Sequence, residues 1–284
     1  MIFIKDMLQE FQKHRLSLFS LPILVECSSN LLILKPTMES LRKLLILIWK
    51  CWFYLLTAIL VILIGLFWVF PFSFFSKTFP LAYKGIRLWG ILIFYGSGFS
   101  LEVERKKELK KNKSYIFIAN HTSILDIMVM AILHKRHPIV FVGKEELAQI
   151  PIFGIIYRRI CIVVNRKDMK SRSHVFQLAK RRISQGESIV IFPEGGIPDD
   201  RQTVLDRFKD GPFTIGISTA APIVVYTIKG LKEMFPETFF GGYPGKVKVK
   251  LLDIIEVEGL TLENKRKIKD ICYQMMLDDL NQQN

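Results

Sequence analysis

The alternation of apolar and polar positions divides the chain near residue 100. From Cys51 to Phe70 twenty residues run without a charge, CWFYLLTAILVILIGLFWVF. That is the length at which a helix crosses the hydrocarbon of a bilayer. Trp49, Trp52, Tyr54 and Trp68 stand near its ends, where amphipathic rings favour a membrane interface. The run is too long and too deep in the chain for a cleaved signal. A second apolar segment, residues 79–99, carries Lys84, Arg87 and four glycines. It reads as an interfacial or re-entrant helix whose basic side chains snorkel to headgroups. Basic residues flank the first segment on both sides, Arg42, Lys43 and Lys50 before it and Lys77, Lys84 and Arg87 after it. Positive charge therefore sets no orientation, and two elements dipping in from the cytoplasmic side would fit both flanks.

Beyond Leu101 charges become frequent and short β-branched runs alternate with helical patterns. Strands are expected at 115–119, 139–142, 160–164, 188–192, 223–228 and 247–255. Several are apolar throughout, as strands covered on both faces are. Helices are expected near 124–133, 171–184 and 213–220. Ile268, Ile271, Cys272 and Met275 lie on one face of a C-terminal helix. This alternation predicts an α/β fold with a mainly parallel central sheet flanked by helices, preceded by an N-terminal membrane-embedded helical pair. Residues 1–37 fit neither part. Met38 opens MESLRKLLILIWK, which resembles a natural start, so 1–37 are expected to be a leader, dispensable or derived from an upstream start codon. Residues 38–100 then form the membrane anchor and 101–284 the main domain.

The charge of +14 in 284 residues and a pI near 9.6 point to a polyanionic partner, nucleic acid or an anionic membrane. A mean hydropathy of +0.28 favours the membrane, and no nucleic acid is expected. Cys27, Cys51, Cys161 and Cys272 are scattered, with no CxxC and no Cys/His cluster. Neither a metal site nor a disulfide framework is expected from them, and they fit a reducing compartment.

The expected strand at 115–119 runs into Asn120-His121-Thr122-Ser123-Ile124-Leu125-Asp126. Side chains five apart are not neighbours on a straight helix. His121 and Asp126 can meet if His121 lies on the turn and Asp126 inside the following helix, with Thr122 or Ser123 as its N-cap. A carboxylate holding one imidazole nitrogen leaves the other free as a general base. Spacing alone leaves the blander reading open, a polar helix start beside an unrelated histidine. His14, His134, His137 and His174 have no aspartate at a matching spacing and read as structural.

Three further segments change the balance. They are Val142-Gly143-Lys144-Glu145-Glu146-Leu147 with Ile150-Pro151-Ile152-Phe153-Gly154, then Ile191-Phe192-Pro193-Glu194-Gly195-Gly196, then Ala221-Pro222-Ile223-Val224. With the His121–Asp126 pair they resemble, in order and spacing, the four blocks of the glycerolipid acyltransferase family, best known for the 1-acylglycerol-3-phosphate acyltransferases. The resemblance covers residues 100–230 or so. It implies that His121 is the general base and Asp126 its orienting partner. It implies direct transfer from acyl-CoA or acyl carrier protein as co-substrate, with no acyl-enzyme, no cofactor and no metal. Glu194 and Gly195 match the acceptor-binding block, and Lys144, Pro151 and Phe153 the block that shapes the acceptor side of the pocket. The implied acceptor is lysophosphatidic acid in the membrane, and the implied location is the cytoplasmic face.

One departure matters. The common third block continues with Thr-Arg, and here Gly196-Ile197 stand in their place. An acceptor phosphate must then find its cation among Lys144, Arg166, Arg201, Arg207 and Lys209, of which Arg166 and Lys209 are the favoured ligands. The same departure keeps a second acceptor open, a lyso-aminolipid or another lysophospholipid. A non-catalytic basic binding protein is disfavoured because His121, Asp126 and Glu194 are all present.

Overall fold

The computed structural model describes residues 30–165, 168–200 and 202–282, with 30–37 and 169–172 as backbone only. Residues 1–29 of the expected leader, and the candidate cations Arg166 and Arg201, lie outside the described residues. Helix α1 (Asn30–Leu60) passes without a break into the wider winding of Val61–Val69 and a short turn at Phe70–Phe72. The boundary expected between residues 37 and 38 falls inside this helix. The stretch Met38–Phe72 is long and apolar enough to cross a membrane. Its apolar surface is largely uncovered, with Ile48, Leu55, Leu63 and Phe67 all exposed.

Helix α2 (Phe79–Gly96) behaves differently. Its buried positions Phe79, Ala82, Tyr83, Ile86, Gly90, Ile93 and Phe94 recur at the three- and four-residue spacing of one helical face. That face lies against helix α3 (Leu125–Leu133). Gly90 permits the close approach, since a Cβ there would already touch Ala131 and Met128 at 3.5–3.6 Å. Arg87 donates to the carbonyl of Ile132 rather than reaching outward to headgroups. Of the expected membrane-embedded pair, the first member is a helix with the length and composition to cross a membrane. The second is a clamp between α1 and the α/β domain.

The sheet has seven strands in the order β1-β7-β6-β2-β5-β3-β4. They are β1 (Ser100–Arg105), β2 (Ile116–Ala119), β3 (Ile139–Lys144), β4 (Cys161–Val164), β5 (Ser188–Ile191), β6 (Ile223–Lys229) and β7 (Lys246–Ile255). Every pairing is parallel except β6 with β7. The central β2 and β5 are buried at all positions, which is why they read as unbroken apolar runs. Edge strand β1, sequence SLEVER, is mostly exposed and charged, as edges guarded against further pairing are.

Helices α4 (Phe153–Ile160), α5 (Met169–Ser184), α6 (Gly211–Thr219), the short α7 (Leu231–Met234) and α8 (Lys265–Asn281) complete the fold. The described cysteines Cys51, Cys161 and Cys272 are free.

Candidate active site

In a parallel sheet, ligands bind where the carboxyl ends of the strands open beside a change in strand order. Strand β2 lies at the centre of this sheet, between β5 and β6, and the turn after it carries His121. The register explains what His121 meets. Ile118 pairs with Ile191 across β2 and β5, and three residues further on in each chain come His121 and Glu194. The backbone N–H of His121 donates to Glu194 Oε1 at 2.7 Å, and the backbone N–H of Asp206 donates to Oε2 at 2.8 Å.

The His121 imidazole lies on the Phe192 ring, with centroids 4.0 Å apart and planes 12° from parallel. Its Nδ1 is 3.0 Å from Asp126 Oδ2. Asp126 is fully buried and its Oδ2 also accepts the backbone N–H groups of Thr122, at 2.7 Å, and Ser123, at 2.9 Å. The expected N-cap is met only weakly: the residue preceding α3 is Ile124, which has no capping side chain, and Ser123 Oγ accepts the Leu125 N–H at a long 3.4 Å. The Asp126 carboxylate folds back from the first turn of the helix, where the dipole favours a negative charge, and takes the N–H groups of the two turn residues that precede it. One oxygen therefore fixes both the turn and the ring that stands on it. Nδ1 faces a carboxylate, so it carries the proton and leaves Nε2 free to accept one. The His121 side chain keeps 14% of its surface exposed.

Asn120, which sequence reasoning passed over, and Ser123, expected only as an N-cap, hold this turn in place. Asn120, buried directly after β2, donates through Nδ2 to the carbonyl of Ile228 at 2.8 Å and accepts the Ile228 N–H at 2.7 Å. It continues the β2–β6 pairing with a side chain. Ser123 Oγ donates to the carbonyl of Phe235 at 3.0 Å. The available signal was Asn120 itself, since an amide at the end of an all-apolar strand must find partners when buried.

Glu194 is 4% exposed. Burial pushes its pKa up to about 7 against the pull of the two N–H donors, and the nearby carboxylates Asp126 and Asp206 add to the rise. Both oxygens hold backbone, so Glu194 braces two loops. Gly195 turns with φ +86°, and a Cβ there would lie 3.5 Å from Lys209. Lys209 is exposed, and its backbone N–H donates to the Pro193 carbonyl at 2.8 Å.

The structure thus gathers His121, Asp126, Glu194, Gly195 and Lys209 at one edge. Lys144 ends β3 on the same edge, two strands from β2 and so roughly 10 Å away. Pro151 instead lines a cavity of ≈ 790 Å³ that includes none of these residues. Phe153 stacks on Tyr157 within α4, with centroids 5.3 Å apart.

A family model described as Acyltransferase matches residues 100–229. The chain is 30% identical over 182 residues to the 1-acyl-sn-glycerol-3-phosphate acyltransferase of Haemophilus influenzae, covering 63% of this chain and 74% of that one. It is 29% identical over 188 residues to the human 1-acyl-sn-glycerol-3-phosphate acyltransferase beta, covering 64% of this chain and just under two thirds, 65%, of that one. Among solved structures, the 1-acyl-sn-glycerophosphate (LPA) acyltransferase of Thermotoga maritima matches with a TM-score of 0.67 at 22% identity, over 87% of this chain and 99% of that one. At that identity the match speaks for the fold.

Proposed function

This chain belongs to the acyltransferase family, and on that premise we propose that it transfers a fatty acyl group from a thioester to the sn-2 hydroxyl of 1-acylglycerol-3-phosphate, giving phosphatidic acid. The observation that carries the reading is the His121–Asp126 pair at 3.0 Å with Nε2 left free at the carboxyl edge of the sheet. Nε2 takes the proton of the acceptor hydroxyl as its oxygen attacks the thioester carbonyl. Asp126, already holding Nδ1–H, stabilises the imidazolium that forms. Collapse of the tetrahedral intermediate expels the thiolate, and the imidazolium returns the proton to it. No acyl-enzyme is needed. Glu194 fixes the backbone beneath the base, and Phe192 fixes the plane of its ring. Lys209 and Lys144, with exposed Arg207 beside Asp206, are described cations at this edge suited to the acceptor phosphate.

The acceptor and product are lipids that stay in the bilayer, and the exposed apolar face of α1 suits the enzyme to that surface. The donor, acyl-CoA or acyl carrier protein, is water-soluble and anionic. We place the catalytic domain at the cytoplasmic face, where such donors are found. Gly196-Ile197 in place of Thr-Arg supports one alternative, the same chemistry on a lyso-aminolipid or another lysophospholipid.

The test is thiol release from acyl-CoA by detergent-purified protein offered either acceptor, with His121→Ala as control. Release with phosphatidic acid formed only from lysophosphatidic acid is the expected result. Release mainly with the aminolipid would reassign the acceptor. Silence with both, repeated with an acyl carrier protein donor, would end the reading.

A further inference from the structure

The ≈ 790 Å³ cavity lies along the β4 side of the domain, and the catalytic turn contributes nothing to it. Four arginines line it, Arg158, Arg159, Arg181 and Arg182, and among the described residues no acidic side chain does. Arg158 and Arg159 stand at the end of α4, just before β4 begins, and Arg182 pairs with buried Glu187, just before β5 begins. Both strands run in parallel with β2 through the pairings of the sheet. These arginines are therefore at the amino edge, opposite the edge that carries His121.

The four guanidiniums are not equivalent. Arg182 has Glu187 at 3.1 Å, and Arg158 donates to the Ala148 carbonyl at 2.9 and 3.2 Å. Arg159 stacks on Phe74 at 3.8 Å with no carboxylate near it among the described residues. Arg181 is exposed, and Glu187, already paired with Arg182, is the carboxylate that feels its charge. Such a concentration of positive charge, largely unneutralised and set in a recess, calls for an anion, and guanidinium forks match phosphate oxygens well.

The rim names the kind of anion. Phe74 and Phe75, the latter 71% exposed, follow the short turn at Phe70–Phe72, and Ile150, Ile152 and Ile155 face them from the α/β domain. Phe67, 70% exposed, adds apolar surface on the Val61–Val69 winding that leads to them. A free phosphate has no use for such a rim, and a nucleic acid would bring only charge and bases to it. A phospholipid places phosphate in the recess and acyl chains along the aromatic and aliphatic rim. We propose that this pocket binds the headgroup of an anionic membrane phospholipid. It is a second site, separate from catalysis, that pins the far end of the domain to the bilayer and so sets the height of the catalytic edge. The proposal rests on α1 meeting the membrane.

The experiment is flotation of full-length protein with vesicles of phosphatidylcholine alone, or with about one fifth phosphatidylglycerol. The latter is neither acceptor nor product, so the catalytic edge does not compete for it. The triple variant Arg158→Gln/Arg159→Gln/Arg181→Gln leaves the Arg182–Glu187 pair intact. At about tenfold or less per cation near a charged surface, it is expected to lose on the order of a hundredfold in affinity for the anionic vesicles. Its binding to neutral vesicles should stay as in wild type.

A control triple on exposed lysines elsewhere, Lys110→Gln/Lys111→Gln/Lys248→Gln, removes equal charge. An equal loss in the control would show a diffuse surface effect and overturn the pocket. So would an anionic preference that survives the arginine substitutions. Release of wild type by millimolar inorganic phosphate at constant ionic strength, to the extent the triple variant shows, would make this a simple anion site and not a headgroup site. Wild-type protein that ignores both kinds of vesicle would remove α1 from the membrane and the headgroup pocket with it.

Discussion

His121 and His134 share one protein, and each stacks on a phenylalanine. The His121 ring lies 4.0 Å from Phe192, and the His134 ring lies 3.7 Å from Phe117. Their surroundings then diverge. His121 has a carboxylate at 3.0 Å, a free nitrogen and 14% exposure. His134 follows α3 into the core with 1% exposure, and neither ring nitrogen has a hydrogen-bond partner among the described residues. Arg105 and His137 add positive charge to its surroundings, and burial above all pushes its pKa well below the ordinary value. Aromatic packing is common to both rings and so explains neither role. A carboxylate on one nitrogen and access for the other make the base, and their absence makes a core residue.

The sharpest break in this comparison is removal of the base. His121→Ala should leave a folded protein with kcat lowered by roughly a hundred- to ten-thousand-fold, the usual span of general-base catalysis. Asp126→Asn should come close to it, because an amide still accepts the Thr122 and Ser123 N–H groups but no longer stabilises the imidazolium. Urea unfolding monitored beside turnover separates the two effects. Near-full activity in either variant would mean that the catalytic turn is misassigned. Asp126→Ala should in addition lose stability by about 1 kcal/mol as the turn loses its cap.

Glu194 gives a smaller effect of a different kind. It touches the backbone of the base rather than the base itself, so Glu194→Gln should displace His121 and not delete it. Facing the Asp206 N–H with an amide NH₂ sets donor against donor, and a shift of the turn by a fraction of an ångström is expected to lower kcat by about ten- to a hundredfold. KM for the acceptor should change little. A large rise in KM with kcat unchanged would support the direct acceptor contact that the sequence block implied.

Much of this was legible in the residues. All six expected strands are found, because β2 is apolar throughout, β5 and β6 carry runs of β-branched residues and β7 alternates. Strand β1 escaped notice because SLEVER is polar and exposed at most positions, so burial wrote no pattern into it. Helix α4 was missed because it is eight residues long and opens at Ile152 with φ +64°, in a segment read only as a Pro-Phe-Gly block. Helix α2 was read correctly as apolar, but its packed face and the inward turn of Arg87 were not foreseen, since hydropathy does not distinguish lipid from a neighbouring helix as the covering partner. The His121–Asp126 contact was legible as spacing. Which group capped the turn was not, because Thr122, Ser123 and Asp126 are all competent and only the backbone decides among them.

The mildest test of the comparison concerns His134 and pH. His134→Leu removes two buried nitrogens without partners and a stacking contact together, and these changes offset. At pH 7.5 the variant should keep activity within twofold and stability within about 1 kcal/mol of wild type. Acidification then distinguishes them. Below pH 6.5 the unfolded chain protonates His134 while the folded chain does not, so in wild type this residue makes stability fall as pH falls. Glu194 and Glu187 act in the opposite sense. Burial raises each to about 7 from 4.5, with Arg182 opposing the rise at Glu187. Between pH 4.5 and 7 the folded state therefore holds protons on them that the unfolded state has released, and stability rises as pH falls. In wild type the histidine offsets one of the two glutamates across this window. His134→Leu leaves only His137, which burial also holds below its ordinary value, to oppose them, and the difference between variant and wild type should grow toward acid by at most about 1.4 kcal/mol per pH unit, the limit for one proton. Urea unfolding in mild detergent at pH 7.5, 6.5 and 5.5 reads that difference directly. Parallel curves for the two proteins would show that His134 takes up its proton in the folded state, and the contrast with His121 would then rest on access alone.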